Sequence, residues 1–292
     1  MRVEELPCWR GDFHVERLHG GLSNESWKVT DRAGAHVARF GADFPFHHVR
    51  REREVAAARA AHRAGFAPEV EFAAPGVMVC RFLDARTWDE TDMRANPARI
   101  GHTLRDFHDR MPAHVSGEGA FFWVFHVIRD YARILDEHLS RFRPELDRLR
   151  AIAAETEAAQ RPMPIVFGHH DLLPGNVLEG ADGRLWLIDY EYAAFGTSLF
   201  DLACAAGNAK MDEAEETEMM QAYFGATPDE ATWHAFGAMR CAALAREAMW
   251  AMVSEIFLAA PGADYDAHAR DYLGRLDAEL HRFRSGTRRT AS

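Results

Sequence analysis

Residues 169–192 of the chain read HHDLLPGNVLEGADGRLWLIDYEY. Residues 177–179 and 184–188 are typical of two short β-strands, and the intervening Asp182-Gly183 dipeptide suits a type I′ turn. With these two residues at the centre of the turn, residue 181 pairs with 184, 178 with 187, and 176 with 189. This register predicts that Asn176 and Asp189 lie opposite each other at the open end of one hairpin.

Asp171, Asn176 and Asp189 are the candidate chemical groups of this segment. In phosphoryl transfer by a kinase, one carboxylate orients and deprotonates the attacking hydroxyl, while an amide oxygen and a second carboxylate hold Mg²⁺ against the phosphates. The alternative is a surface loop followed by a hairpin with incidental polar ends. The motif, the hairpin and Asp189 together favour the functional interpretation. A metal site built on His169 and His170 is disfavoured, because adjacent residues of an extended segment point in opposite directions.

The composition limits the classes of protein to which the chain can belong. A length of 292 residues is enough for two lobes with a sizeable core, and 48% hydrophobic with 27% charged residues is ordinary for a soluble globular protein. The formal net charge of −11 argues against a nucleic-acid partner or an anionic membrane surface, and it is compatible with a small cationic substrate.

The location of the protein is also suggested by the sequence. The first residues lack the apolar core of a signal peptide, and no segment is long and apolar enough to insert into a membrane. The four cysteines show no disulfide or metal spacing, so we expect a cytoplasmic protein.

The hydrophobic pattern divides the chain into two parts. Residues 1–82 are predicted to form a small β-rich N-terminal lobe, and residues 83–292 a larger helical C-terminal lobe, which gives an α+β fold. The N-terminal strands are expected at 15–18, 26–30, 36–40 and 77–80, with one helix at 51–64. The C-terminal helices are expected at 100–108, 122–139, 144–159, 212–224, 229–258 and 264–284.

The N-terminal part contains a candidate phosphate-binding loop, Gly20-Gly21-Leu22-Ser23-Asn24, between two predicted strands. Glycines such as Gly20 and Gly21 let backbone N–H groups approach phosphate oxygens, and Ser23 and Asn24 can add donors. The alternative is an ordinary hairpin turn.

A second nucleotide contact is expected from an arginine. Kinases usually clamp phosphates with a lysine on a strand, but the only lysines here are Lys28 and Lys210. Arg39 lies on a predicted strand with Val37 on the same face, so Val37 can cover an adenine while Arg39 reaches the phosphates. Glu54 on the next helix is the expected partner of Arg39. Glu52 is the competing candidate, and a solvated helix face is the alternative for both glutamates.

With these motifs in view, the chain resembles the choline/ethanolamine kinase branch of the aminoglycoside-phosphotransferase-like superfamily, which has a bilobal protein-kinase-like fold. The resemblance covers nearly the whole chain and rests on residues 20–24, 37–39, 51–54, 169–176, 188–192, 200–203 and Trp250. It implies that Asp171 is the catalytic base, that Asn176 and Asp189 bind Mg²⁺, and that Arg39 stands where other kinases carry lysine. Asp201 would bond the backbone of the catalytic loop.

The resemblance also indicates the acceptor. Glu191-Tyr192 after Asp189 is closer to choline kinases than to antibiotic kinases, whereas Leu173 occupies a position that is often histidine in related phosphotransferases. Trp250 matches an aromatic position of the choline-kinase pocket, and Glu191 and Phe195 could complete the enclosure of a quaternary ammonium. The alternative for Trp250, which shares a helix face with Glu247 and Phe257, is a place in the hydrophobic core.

The sequence therefore predicts a kinase that uses ATP and Mg²⁺ to phosphorylate the hydroxyl of a small cationic alcohol, choline or ethanolamine. One alternative is a related kinase acting on an aminoglycoside, thiamine or a sugar-like alcohol. The other is a catalytically silent nucleotide-binding protein, which the replacement of lysine by Arg39 keeps open. The oligomeric state and the choice between ATP and GTP stay undetermined.

Overall fold

The N-terminal part of the molecule is an antiparallel sheet of five strands. The structure, a computed structural model, describes residues 2–18 and 24–286. The strands are β1 (His14–Leu18), β2 (Glu25–Asp31), β3 (Gly34–Phe40), β4 (Val70–Ala74) and β5 (Val77–Arg81), in the spatial order β1-β2-β3-β5-β4. Four of them were predicted from the sequence. The fourth in chain order, β4, was not, although Gly76 with φ of 79° marks the tight turn that joins it to β5.

The helix α1 (Arg51–Ala64) has the predicted bounds and ends at Gly65, whose left-handed φ of 86° allows the chain to leave the helix. One face of α1 is made of buried alanines. These alanines belong to the hydrophobic core of the helical part, whereas the sheet has a small core of its own around Val29, Ala38 and Val79. Helix α1 therefore joins the two parts of the molecule.

The C-terminal part is built around one long helix. Its helices are α2 (Glu90–Ala95), α3 (Pro97–Arg110), α4 (Val124–Glu137), α5 (Leu146–Ala158), α6 (Ser198–Asn208), α7 (Glu213–Phe224), α8 (Glu230–Phe257) and α9 (Tyr265–Ser285). Helix α8 packs against α4, α5, α6 and α9. The sequence did not predict α6, because this helix is buried over most of its surface and so lacks an amphipathic stripe.

Two small sheets support the segment between α5 and α6. Strand β7 (Ile165–Gly168) pairs with β10 (Ala194–Thr197), and β6 (Ala85–Thr87), β8 (Val177–Gly180) and β9 (Leu185–Leu187) form the second sheet in the order β6-β8-β9. Strands β8 and β9 are the predicted hairpin.

The register predicted for this hairpin is wrong by one residue. Leu178 pairs with Trp186 rather than with residue 187. The Gly180 N–H donates to the Arg184 carbonyl, so the loop has three residues, of which Gly183 alone has a positive φ, 77°. A type I′ turn needs positive φ at both central residues, and the Asp-Gly dipeptide here forms the three-residue alternative instead.

The mixed fold with a β-sheet N-terminal region and a helical C-terminal region agrees with the predicted α+β class. The sheet of the first region ends at Arg81, and β6, which pairs with the second region, begins at Ala85. The division of the chain into lobes at residue 82 remains our interpretation. Within the described residues, no helix combines the length and apolar character that a membrane crossing requires.

Candidate active site

A cavity of about 720 Å³ lies between the sheet and the helical region. Asn24, Val37 and Arg39 reach it from the sheet side. The predicted residues that reach it from the helical side are Asp171, Asn176, Asp189, Glu191 and Trp250. Gly20, Gly21 and Ser23 of the proposed phosphate loop lie outside the described residues.

The loop that carries Asp171 is fixed from beneath by Asp201 of α6. The buried Asp201 carboxylate accepts hydrogen bonds from the backbone N–H groups of His169 and His170, at 2.8 and 2.6 Å, and it contacts Nε2 of His108 at 2.8 Å. Burial acts to raise the pKa of Asp201, but the hydrogen bond with His108 and the neighbouring histidines outweigh it and hold that pKa below its ordinary value. The structural role expected for Asp201 is therefore present in the geometry.

The side chains of His169 and His170 both hold the loop in place, and they contact different parts of the structure. The buried His169 ring contacts the Ile188 carbonyl through Nε2 at 2.9 Å, and the backbone N–H of Asp171 donates to its Nδ1 at 3.3 Å. Burial lowers the pKa of His169, which favours the neutral ring that these two contacts need. The His170 ring stacks on Phe122. No three-ligand metal cluster of His, Cys, Asp or Glu occurs among the residues that the structure describes.

Asp171 faces the cavity with a side chain that is 14% exposed. Burial raises the pKa of its carboxyl well above the ordinary value, Arg246 opposes this shift, and Asp189 adds to it. The Arg246 Nη1 lies 3.9 Å from Oδ1 of Asp171. A carboxylate with a raised pKa accepts a proton more readily than an ordinary aspartate, which suits a general base.

Asn176 and Asp189 carry side-chain oxygens at one end of the hairpin. The Asn176 Nδ2 donates to the backbone carbonyl of Asp171 at 2.8 Å, so the amide group is oriented by the catalytic loop. The Ile188 N–H donates to the Asn176 carbonyl at 3.0 Å, and the next residue, Asp189, has a left-handed φ of 67°. An amide oxygen and a carboxylate are ligands that Mg²⁺ prefers, so these residues fit that ion.

A network of buried ion pairs connects α1, β3 and the segment after β9. Arg39 pairs with Glu54 and, through Nη1, with Asp189 at 2.8 Å. Glu54 also accepts from Arg51 at 2.6 Å, and Arg51 reaches Glu191 at 3.0 Å. The pairing of Arg39 with Glu54 is as predicted, whereas the competing candidate, Glu52, is exposed.

Comparison with known proteins assigns the chain to a family. The family model described as choline/ethanolamine kinase matches residues 15–233, which is most of the chain. The chain belongs to the choline/ethanolamine kinase family.

Similar proteins from other organisms agree with this assignment. A probable ethanolamine kinase of Arabidopsis thaliana is 30% identical over 212 residues, which are 65% of this chain and 54% of the relative, so the chain matches about half of that protein's length. A crystal structure of a choline/ethanolamine kinase family protein from Mesorhizobium loti has a TM-score of 0.75 with 27% identity, covering 97% of this chain and 96% of the other. The fold of LicA in complex with AMP is also similar, with a TM-score of 0.71 and 18% identity over 94% of each chain.

The far end of the cavity is lined by α8, α9 and the segment after Asp189. Glu247 and Trp250 of α8, His268 and Tyr272 of α9, and Tyr192 line this end. Glu247 accepts a hydrogen bond from Arg246 at 2.8 Å and contacts His268 Nε2 at 3.2 Å. Burial acts to raise the pKa of Glu247, but the hydrogen bond with His268 and the charge of Arg246 outweigh it, and the pKa lies below its ordinary value.

Three residues predicted near the acceptor differ in position. Trp250 lines the cavity, and Glu191 does so while paired with Arg51. Phe195 lies on β10, and its ring packs edge-on against Phe167 at 5.2 Å between centroids, away from the cavity-lining residues. The prediction that Phe195 encloses the acceptor is therefore wrong, because its strand turns the ring toward β7. Phe257 also lies elsewhere, stacked on Phe46.

The sequence interpretation missed Arg246 and His268 and gave Glu247 no role of its own. The sequence did contain a signal for Arg246 and Glu247. They are adjacent charged residues in the otherwise apolar stretch of residues 241–253. Charged residues are rarely buried unless they are paired, so this dipeptide marks a buried ion pair. His268 gave no comparable signal, because it lies on an ordinary amphipathic helix.

Proposed function

We propose that the protein is an ATP-dependent kinase that transfers the γ-phosphoryl group to the hydroxyl of a small cationic amino alcohol, choline or ethanolamine. The observation that carries the proposal is the convergence of Asp171, Asn176, Asp189 and Arg39 on one cavity whose far end holds Glu247. Family membership supports the same reaction.

In this proposal each group has one task. Asp171 accepts the proton of the acceptor hydroxyl as the oxygen attacks phosphorus, and its raised pKa matches that task. Asn176 and Asp189 would hold Mg²⁺, which when bound offsets the phosphate charge. Arg39, fixed by Glu54, contacts the phosphates in the place of the usual lysine. The segment with Gly20, Gly21, Ser23 and Asn24 remains the phosphate-binding loop that the sequence predicts.

The nucleotide and the acceptor enter from different sides. Val37 lines the sheet side of the cavity, where it would cover the adenine, while Trp250 and Glu191 belong to the helical side. A LicA structure in complex with AMP supports a nucleotide in this fold. The free thiols of Cys8, Cys80, Cys204 and Cys241 suit a reducing cytoplasm, where we place the reaction.

The test is a panel of acceptors assayed for ADP release with ATP and Mg²⁺, with phosphorylated product identified by mass. The panel contains choline, ethanolamine, an aminoglycoside, thiamine and a sugar alcohol. We expect turnover with choline or ethanolamine that requires Mg²⁺ and is lost in Asp171→Asn. Turnover confined to another acceptor would identify a related kinase, and ATP binding without turnover of any acceptor would identify a silent nucleotide-binding protein.

A further inference from the structure

The aromatic rings at the acceptor end of the cavity already have partners on their faces. The guanidinium carbon of Arg246 lies 4.4 Å from the centre of the Tyr192 ring. Tyr272 is stacked on His268 at 4.8 Å, and Arg275 lies 4.3 Å from the centre of its ring. Trp250 is stacked on His47 at 5.4 Å. Each ring therefore has at least one face covered by another side chain of the protein.

This arrangement is unfavourable for a quaternary ammonium. Such a cation has no N–H group and is held by several open aromatic faces, each worth about 0.5–2 kcal/mol. Here one electron-rich face of Tyr192 and one of Tyr272 are already occupied by an arginine of the chain.

The same end of the cavity offers a carboxylate. The Glu247 side chain is 14% exposed, and among the described residues each of its oxygens has one polar contact, Oε2 with Arg246 and Oε1 with His268. A carboxylate oxygen accepts two hydrogen bonds, so both oxygens can take another donor. The carboxylates of Asp171 and Glu247 lie beside a single guanidinium, that of Arg246, so one ammonium group would balance the remaining negative charge.

The distance between the two carboxylates also matters. The Arg246 Nη1 lies 3.9 Å from Asp171 Oδ1 and 2.8 Å from Glu247 Oε2. These two carboxylate oxygens therefore lie no more than about 6.7 Å apart. A two-carbon amino alcohol can place its hydroxyl at Asp171 and its nitrogen at Glu247.

We propose that the acceptor carries a hydrogen-bonding ammonium, as ethanolamine does, that Glu247 binds this group directly, and that choline is a poor substrate. This inference rests on the proposed kinase function and narrows its acceptor. A site built to hydrogen-bond a substrate group discriminates strongly against an analogue that lacks it, because the carboxylate then loses water and gains no donor from the substrate in exchange.

The experiment uses four acceptors that lose one N–H donor at each step: ethanolamine, N-methylethanolamine, N,N-dimethylethanolamine and choline. With the purified full chain, ATP and Mg²⁺, we expect kcat/KM to fall along the series, with choline about 10- to 100-fold below ethanolamine, as expected for one lost charged hydrogen bond. Choline turned over as well as ethanolamine would overturn the inference while leaving the kinase function intact. No turnover of any of the four would overturn the proposed phosphorylation of choline or ethanolamine together with the inference.

The role of Glu247 is tested with Glu247→Gln, and Glu255→Gln serves as the control. Glu255 lies two turns later on α8, where it pairs with Arg141 outside the cavity. We expect Glu247→Gln to raise KM for ethanolamine about tenfold or more and KM for choline less, so that the preference shrinks, while Glu255→Gln changes neither. An equal rise in KM for ethanolamine and for choline would exclude a hydrogen bond between Glu247 and the ammonium group. If Glu247→Gln does not fold, the four acceptors compared on the unaltered protein still test the inference.

Discussion

At the scale of single residues, Asp171 shows how the surroundings of a carboxyl set its chemistry. Burial and the nearby Asp189 raise the pKa of Asp171, whereas Arg246, 3.9 Å away, favours the charged form. The backbone N–H of Asp171 and the amide of Asn176 fix the position of the loop around it. The result is a carboxylate that is held in place and is more basic than an exposed aspartate.

Replacing this residue tests its role. We expect Asp171→Asn to keep nucleotide affinity but to lose about 10²–10⁴-fold in kcat, which is the usual contribution of general-base catalysis. Steady-state kinetics and nucleotide titration measure the two effects, with Asp106→Asn, an exposed aspartate on α3, as the control. Near-normal turnover in Asp171→Asn would exclude Asp171 as the base.

The raised pKa also predicts a pH dependence. The base has to be ionised, so kcat/KM is retained above the pKa of Asp171 and lost as the pH falls through it. Because that pKa is raised, the acid limb should lie at higher pH than the value of about 3.9 for an ordinary aspartate. The measurement is a pH profile of kcat/KM, corrected by the pH dependence of nucleotide affinity. An acid limb that persists unchanged in Asp171→Asn would have another origin.

At the scale of elements, the loop that carries Asp171 depends on helix α6, which follows it in the sequence. Asp201 in the first turn of α6 accepts hydrogen bonds from the backbone N–H groups of His169 and His170. The His170 backbone has a left-handed conformation with φ of 62°. Non-glycine residues adopt that conformation when their surroundings impose it. Helix α6 therefore sets the shape of the loop that presents Asp171.

We expect Asp201→Asn to destabilise the protein by about 2–4 kcal/mol, because the NH₂ that replaces one carboxylate oxygen cannot accept the backbone N–H that this oxygen satisfies. The pKa of Asp201 is lowered by folding, so its contribution is present above the unfolded pKa of about 3.9 and is lost as the pH falls toward the folded value. Denaturant unfolding at pH 7 measures the loss, and Asp147→Asn on the exposed face of α5 is the control. An unchanged midpoint would show that the loop does not need this carboxylate.

At the scale of the whole molecule, buried charges connect the sheet to the helical region. Glu54 of α1 pairs with Arg39 of β3 and with Arg51, and these two arginines pair with Asp189 and Glu191 after the hairpin. The sheet has only a small core of its own, and α1 packs into the core of the helical region. The ion pairs therefore set where Arg39 lies relative to Asp189.

The sequence offers a matched pair of variants for this connection. Glu54→Gln should weaken Mg²⁺-ATP binding about tenfold or more, because it leaves two buried arginines without their shared carboxylate. Glu52→Gln, two residues earlier and exposed, should leave binding unchanged. Both are measured by nucleotide titration beside a thermal unfolding curve. Equal nucleotide affinity in the two variants would show that Glu54 does not position Arg39.

The sequence alone indicated the α+β class, most helices and the residues of the catalytic loop, because these depend on local signals: periodicity, turn residues and short motifs. It also indicated that Arg39 pairs with Glu54, whereas the role of Arg39 in the place of a lysine stays a prediction. Helix α6 was not predicted, because a helix that is buried on all sides has no polar face. Strand β4 was not predicted, because a short strand between turns resembles a loop in the sequence.

Only the tertiary structure decided the contacts between distant segments. The hairpin register depends on whether the loop has two or three residues, and Asp-Gly suits both. Phe195 and Trp250 are equally aromatic in the sequence, but the pairing of β10 with β7 turns one ring away while α8 places the other in the cavity. The Glu247–His268 contact joins two helices, and which faces of those helices meet is fixed by the packing of the whole helical region rather than by either segment.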